Sequence, residues 1–209
     1  MIASYLESLP LIAILRGITP EEVVPVGRAL SAAGFRVIEV PLNSPRALES
    51  IARVRDDLDD DHLVGAGTVT SGTQVEEVAA AGGRLIVMPH GDAVVVRAAK
   101  SAGLYCTPGI ATPTEGFAAL ANGADALKLF PAEMIGAVGL KALRAVFPRE
   151  TLFLPVGGIT PETMGAFVAA GAAGFGLGSA LYRPGAGVDE VARNARAFAA
   201  AWERTGARG

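Results

Sequence analysis

The chain has 209 residues, 51% hydrophobic and 19% charged, with a net charge of −3. This balance excludes a disordered chain, and it excludes a general binder of nucleic acid, which needs clustered positive charge. A single cysteine, Cys106, excludes an internal disulfide and fits a reducing cytoplasm, and two histidines, His62 and His90, are thin material for a metal centre.

The N-terminal stretch reaches Glu7 without a basic region and is not read as a secretory leader. The first apolar run, 11–15, ends in Arg16, and Thr19-Pro20-Glu21 then reads as a helix start. Gly34 closes that helix, and the run 35–40 follows with Glu39 inside it. Ser44-Pro45 reads as the next cap. The acidic run 56–61 reads as a solvated loop, and His62 opens a strand at 62–67 that leads into Thr68. Gly82 precedes the run 85–88, which ends at Pro89 and His90, and Asp92 caps the helix after it. Gly103 precedes a short strand at 104–106, and Thr112-Pro113-Thr114-Glu115 opens a further helix. Gly123 precedes the run 126–130, which holds Lys128. The run 152–157 continues into Gly158, Ile159 and Thr160, and Thr160-Pro161-Glu162 repeats the helix-start device. The uncharged stretch 163–182 is long enough to cross a bilayer, but its glycines at 165, 171, 174, 176 and 178 read as a buried helix, a stop and a buried strand. That strand, 172–177, runs into Gly178 and Ser179 at a short helix start, and 191–202 with Trp202 forms the closing helix.

Glycines 34, 82, 103, 123 and 171 each end a helix-like stretch and precede an apolar run, at spacings of 48, 21, 20 and 48 residues. Each double gap holds one more strand, and the run 11–15 stands in front, so eight units of roughly 25 residues result, near the minimum for strand, loop, helix and return. Runs apolar on both faces suit parallel strands covered by helices. The chain is therefore read as α/β, a single (β/α)8 TIM barrel of compact size occupying 1–209 as one domain. An open doubly wound sheet is the alternative, but its first unit lacks Gly-x-Gly-x-x-Gly.

Barrel chemistry sits at the C-terminal ends of the strands. Alternation turns Lys128 inward between Leu127 and Leu129, and desolvation there lowers an amine's pKa. A neutral Lys128 can form a Schiff base; a charged one would bind phosphate, pair with Glu39 or snorkel. Glu39, also inward and opposite Lys128, is either a general acid/base or half of an ion pair orienting Arg16. The Arg16 fork suits a carboxylate, and Thr68 offers a hydroxyl on a tight turn. The segments 157–160 and 176–179, with Gly157, Gly158, Ile159, Thr160, Gly178 and Ser179, fall where such barrels bind phosphate.

Taken in order, Leu-Ile-Ala-Ile-Leu-Arg-Gly at 11–17, Glu-Val-Pro-Leu-Asn-Ser-Pro at 39–45, Gly-Ala-Gly-Thr-Val at 65–69, Leu-Lys-Leu-Phe-Pro at 127–131, Val-Gly-Gly-Ile-Thr-Pro-Glu at 156–162 and Gly-Leu-Gly-Ser at 176–179 resemble the class I 2-keto-3-deoxy-6-phospho-sugar-acid aldolases. The resemblance implies a homotrimer with no metal and no organic cofactor, acting on a small phosphorylated sugar acid. It implies that Lys128 forms an imine with the pyruvate-derived carbonyl and that Glu39 shuttles protons. Arg16 and Thr68 would hold the pyruvate carboxylate region, Pro89 and Phe130 would wall the pocket, and the ends of the last two strands would grip the phosphate. The phosphogluconate branch resembles Glu-Val-Thr-Leu-Arg-Thr at the second strand, with an arginine after the catalytic glutamate. This chain has Pro41-Leu42-Asn43-Ser44-Pro45 there, which looks like the phosphogalactonate branch. A phosphometabolite-binding barrel without covalent chemistry is the reading from another class.

Overall fold

The computed structural model describes residues 2–206; residue 1 and residues 207–209, the two ends of the expected 1–209 domain, lie outside the described residues. Strands and helices alternate from the first strand onward, save at 105–110, where two short strands follow each other directly. The strands are β1 (Leu11–Ile14), β2 (Val37–Pro41), β3 (Leu63–Gly67), β4 (Leu85–Val87), β5 (Tyr105–Thr107), β6 (Gly109–Ile110), β7 (Leu127–Leu129), β8 (Phe153–Pro155) and β9 (Phe175–Leu177). The helices are α1 (Ala3–Leu6), α2 (Val23–Ala32), α3 (Ala47–Asp57), α4 (Gly72–Ala80), α5 (Ala93–Ser101), α6 (Pro113–Ala121), α7 (Ala132–Arg144), α8 (Met164–Ala169) and α9 (Val188–Arg204).

All strand pairs are parallel, in the order β5-β4-β3-β2-β1-β9 and β6-β7-β8. A bridge between Val156 and Gly176 joins β8 to β9. At the other seam, the expected strand at 104–106 is found as β5 and β6 on either side of Pro108. Proline has no N–H for the ladder, so pairing passes from β4 before it to β7 after it. The Pro108 carbonyl still accepts from the Lys128 N–H at 2.9 Å, which keeps β7 in register. Eight sequence units thus ring the barrel with nine strand segments among the described residues.

Alternation along the strands sorts two apolar layers. Ile12, Val37, Leu63, Leu85, Ala126 and Leu154 cluster in the barrel interior. Ile2 and Leu6, at the short helix α1 that sequence reasoning missed, close the floor against them. Their strand neighbours, such as Leu11, Ile38, Val64, Ile86, Leu127, Phe153 and Phe175, pack outward against the helices. Trp202 of α9 meets Phe175 edge-on, as a closing helix should. Among the described residues no helix is long and apolar enough to cross a membrane.

The five predicted helix-ending glycines all have φ between 73° and 99°. The predicted helix starts divide. Thr112 forms a full capping box with Glu115, and Asp92 accepts from the Val94 N–H at 2.7 Å. Thr19 and Thr160 do not cap. Turns intervene, and α2 and α8 begin only at Val23 and Met164. Thr19 donates instead to the Glu22 carboxylate, and Thr160 N–H donates to the Thr163 hydroxyl. Ser44 does not cap α3 either, since its hydroxyl accepts from the Gly17 N–H at 2.8 Å. No helix starts at Ser179: the segment after β9 closes as a hydrogen-bonded turn, with the N–H groups of Leu181 and Tyr182 donating to the Gly178 carbonyl.

Candidate active site

The interior face of the barrel changes character toward the C-terminal ends of the strands. Below lie the aliphatic residues of the core; above them sit Glu39 on β2 and Lys128 on β7, only 1% and 5% exposed. Two facts of sequence put them there. Each occupies the same parity as its interior neighbour, Val37 and Ala126 respectively, so the pleat aims both at the axis. Each is flanked by aliphatic residues that face the helices.

Gly67 makes room for the carboxylate. A Cβ there would lie 1.9 Å from Glu39 Oε2, so the Glu39 side chain lies directly across the Gly67 backbone. Among the described residues Glu39 Oε2 has no hydrogen-bond partner. Lys128 Nζ stands over the Phe130 ring, 4.9 Å from its centroid.

Burial governs the electrostatics of this pair. It pushes the Lys128 ammonium below the ordinary lysine range, with Glu39 opposing the shift and Arg16 adding to it. It pushes the Glu39 carboxyl above the usual carboxylate range, against the pull of Lys128 and Arg16. An amine that loses its proton more readily and an acid that keeps one more readily suit nucleophilic attack and proton shuttling.

A cavity of about 320 Å³ opens above Lys128. Of the residues singled out in sequence, Arg16, Lys128, Phe130, Gly157, Gly158, Ile159, Thr160, Gly178 and Ser179 line it. Arg16 stands at one side, where Asn43 Oδ1 accepts from its Nη1 at 2.7 Å. The turns at 157–160 and 178–179 line it as well, the second following β9, the strand paired with β1; Gly157 and Gly158 have φ of 105° and 66°, a backbone path that side chains rarely follow. Glu39, Thr68 and Pro89 do not line this cavity. Glu39 is buried on β2, and Thr68 and Pro89 follow the ends of β3 and β4. Thr68 has φ 59°, a left-handed conformation that costs a non-glycine residue about 1–2 kcal/mol. Such local strain is found at working sites more often than elsewhere.

Sequence reasoning missed Arg183, which lines the cavity beside Ser179 and donates from Nε to the Ser179 carbonyl at 3.0 Å. It lies beyond the last strand in an irregular segment where no periodicity marks it. It also gave Asn43 no contact, because the pairing with Arg16 spans 27 residues. The residues read as bland are so placed. Cys106 is buried and unpaired, its thiol pushed up to about 12 by burial and the nearby Asp125 carboxylate. His90 is exposed. His62 is buried near the opposite end of the barrel, held by Asp59, Ser31 and Arg36.

Known proteins resemble this chain over most of its length. The 2-dehydro-3-deoxy-6-phosphogalactonate aldolase of Escherichia coli (strain K12) is 47% identical over 194 residues, covering 93% of this chain and 95% of that protein. A solved structure described as native KDPGal superposes with a TM-score of 0.93 at 47% identity, covering 94% of this chain and 96% of the other. More distant is a KDPG aldolase from Legionella pneumophila with pyruvate captured as a covalent carbinolamine intermediate. It has a TM-score of 0.80 at 29% identity and covers 95% of this chain and 94% of that one. The sequence model for KDPG and KHG aldolase matches residues 2–193, and the chain belongs to that family.

Proposed function

We propose that this chain is a class I aldolase, a carbon–carbon lyase that cleaves 2-dehydro-3-deoxy-6-phospho-D-galactonate to pyruvate and D-glyceraldehyde 3-phosphate. One observation carries the reading: a buried Lys128, its ammonium destabilised by burial, faces a cavity with a buried carboxylate beside it. The 47% identity to a 2-dehydro-3-deoxy-6-phosphogalactonate aldolase supports the choice of sugar acid. The phosphogluconate epimer is the alternative, and the KDPG aldolase structure described above stands farther off at 29% identity.

In this mechanism neutral Lys128 attacks the C2 ketone, and the carbinolamine loses water to give a protonated imine. Glu39 takes the proton of the C4 hydroxyl, directly or through a water. The electrons of the C3–C4 bond move into the iminium, releasing the aldehyde and leaving an enamine. Protonation of the enamine at C3 and addition of water return pyruvate and free Lys128. Arg16 and Thr68 hold the carboxylate region, with Pro89 and Phe130 as walls. The turns of Gly157, Gly158, Ile159 and Thr160, and of Gly178 and Ser179, take the phosphate. Arg183 is the cation that lines that side of the cavity and supports this assignment.

We assign the enzyme to the cytoplasm, in keeping with its one unpaired cysteine. We also assign it the 1–209 extent as one domain and a homotrimeric state, supported by apolar side chains that α5, α6 and α7 leave in water. The chemistry is tested by borohydride reduction in the presence of pyruvate. The expected result is a single adduct on Lys128; its absence at saturating pyruvate would overturn the aldolase reading in favour of a non-covalent binding barrel. Equal cleavage efficiency on the two epimeric phospho-sugar acids would overturn the galactonate assignment.

A further inference from the structure

We infer that Asn43 is a positioning residue that aims the Arg16 guanidinium at the substrate carboxylate while leaving its charge uncompensated. The inference rests on the aldolase reading above, in which Arg16 receives that carboxylate.

The geometry is a two-point clamp between the loops that follow β1 and β2. Asn43 Oδ1 accepts from Arg16 Nη1 at 2.7 Å. One residue along each chain, Ser44 Oγ accepts from the Gly17 N–H at 2.8 Å, and Ser44 is only 7% exposed. The clamp rests on fixed supports. Leu15 N–H donates to the Glu39 carbonyl at 2.9 Å, Leu42 N–H to the Gly67 carbonyl at 2.8 Å and Ser44 N–H to the Pro41 carbonyl at 2.9 Å. The strand that carries Glu39 into the barrel therefore continues into the loop that holds Arg16. Gly17, at φ 82°, turns the chain sharply just after the arginine.

The chemistry of the acceptor is the second part. Among the described residues Arg16 forms no ion pair; its side-chain partner is an amide oxygen. An amide accepts a hydrogen bond and fixes a planar fork without neutralising it. A carboxylate at position 43 would fix it equally well and compete with the substrate for both the fork and its charge. A loop that needed only internal stability would be served by either side chain. A site that must bind an anion is served only by the neutral one.

The two alternatives separate in three variants. Asn43→Ala removes the aim; the KM for the phospho-sugar acid rises about tenfold, with kcat held within about twofold. Asn43→Asp keeps an acceptor of the same shape, so a structural role predicts wild-type behaviour. The positioning role predicts a KM at least as high as that of Asn43→Ala. It also predicts a shift to higher pH of the limb on which imine trapping sets in, since the added charge offsets Arg16 near Lys128 and Glu39. In an Arg16→Met background, Asn43→Ala should cost nothing further, because Asn43 acts through Arg16. Unchanged KM in either single variant, or an undiminished cost in the Arg16→Met background, overturns the inference. Failure of the wild-type protein to trap pyruvate overturns the aldolase reading instead, so the two failures are distinguishable. Asn43 is exposed, and thermal melts of the variants verify that the fold is kept.

Discussion

At Lys128 three charges compete in a small volume. Burial disfavours the ammonium, Glu39 favours it and Arg16 disfavours it. The signs can be separated. In Glu39→Gln the negative neighbour is gone, so Lys128 loses its proton at lower pH and the rise of borohydride trapping with pH moves in the acid direction. In Arg16→Met the positive neighbour is gone, so the same rise moves in the alkaline direction when pyruvate is saturating. Trapping and turnover should also part company: Glu39→Gln keeps its nucleophile but loses its proton shuttle, so cleavage falls by about 10²–10⁴ while the adduct still forms. Trapping profiles that move the same way in both variants would remove the electrostatic account of how this amine is kept reactive.

Among the described helices, α6 starts on a full capping box. Thr112 Oγ1 accepts from the Glu115 N–H at 3.4 Å, and Glu115 Oε2 accepts from the Thr112 and Ala111 N–H groups at 2.8 and 2.9 Å. Thr112→Ala should cost about 1 kcal/mol, seen as a fall in Tm of about 2–4 °C, with KM unchanged. A change in KM would mean that α6 is tied to the site more tightly than its packing on β6 suggests. The same Thr-Pro motif behaves differently at Thr19 and Thr160, and this marks where sequence ceases to be legible. The strands were readable because burial on both faces writes one continuous apolar run, and Lys128 and Glu39 stood out as exceptions within such runs. The glycine stops were readable because a helix end demands a left-handed residue. The caps at Thr19 and Ser44 were not: Thr19 is engaged in a local turn by the Glu22 carboxylate before α2 begins, and Ser44 serves Gly17, 27 residues away, rather than its own helix. Arg183 was illegible for a related reason, since it reaches the cavity from an irregular turn. Pro108 was visible in the sequence, but its effect, splitting one strand into β5 and β6, depends on which neighbour lies on each side.

For the molecule as a whole, the distribution of exposed apolar side chains is uneven. Val94 on α5 is 61% exposed, Phe117 on α6 47%, Met134 and Val138 on α7 81% and 85%, and Val146 just beyond α7 57%. Phe117 stacks on Phe147 with centroids 4.3 Å apart, which gives this region a rigid aromatic element. These residues lie on consecutive units of the barrel, so they mark one side of it. A side that keeps Met134 and Val138 almost fully in water has the character of an interface, and the homotrimeric assignment supplies its occupant. The active-site mouth lies at the strand ends, away from these helix flanks, so assembly and chemistry should separate. Val138→Lys places a charge where apolar contact is expected and should convert the proposed trimer to monomers in sedimentation velocity at micromolar concentration. The melting temperature should fall with it and become insensitive to protein concentration, because stability is no longer drawn from association. Pyruvate trapping on Lys128 should persist, since β7 and its neighbours are complete within one chain. A wild-type protein that sediments as a monomer under the same conditions would refute the assembly and leave the apolar flank without a partner.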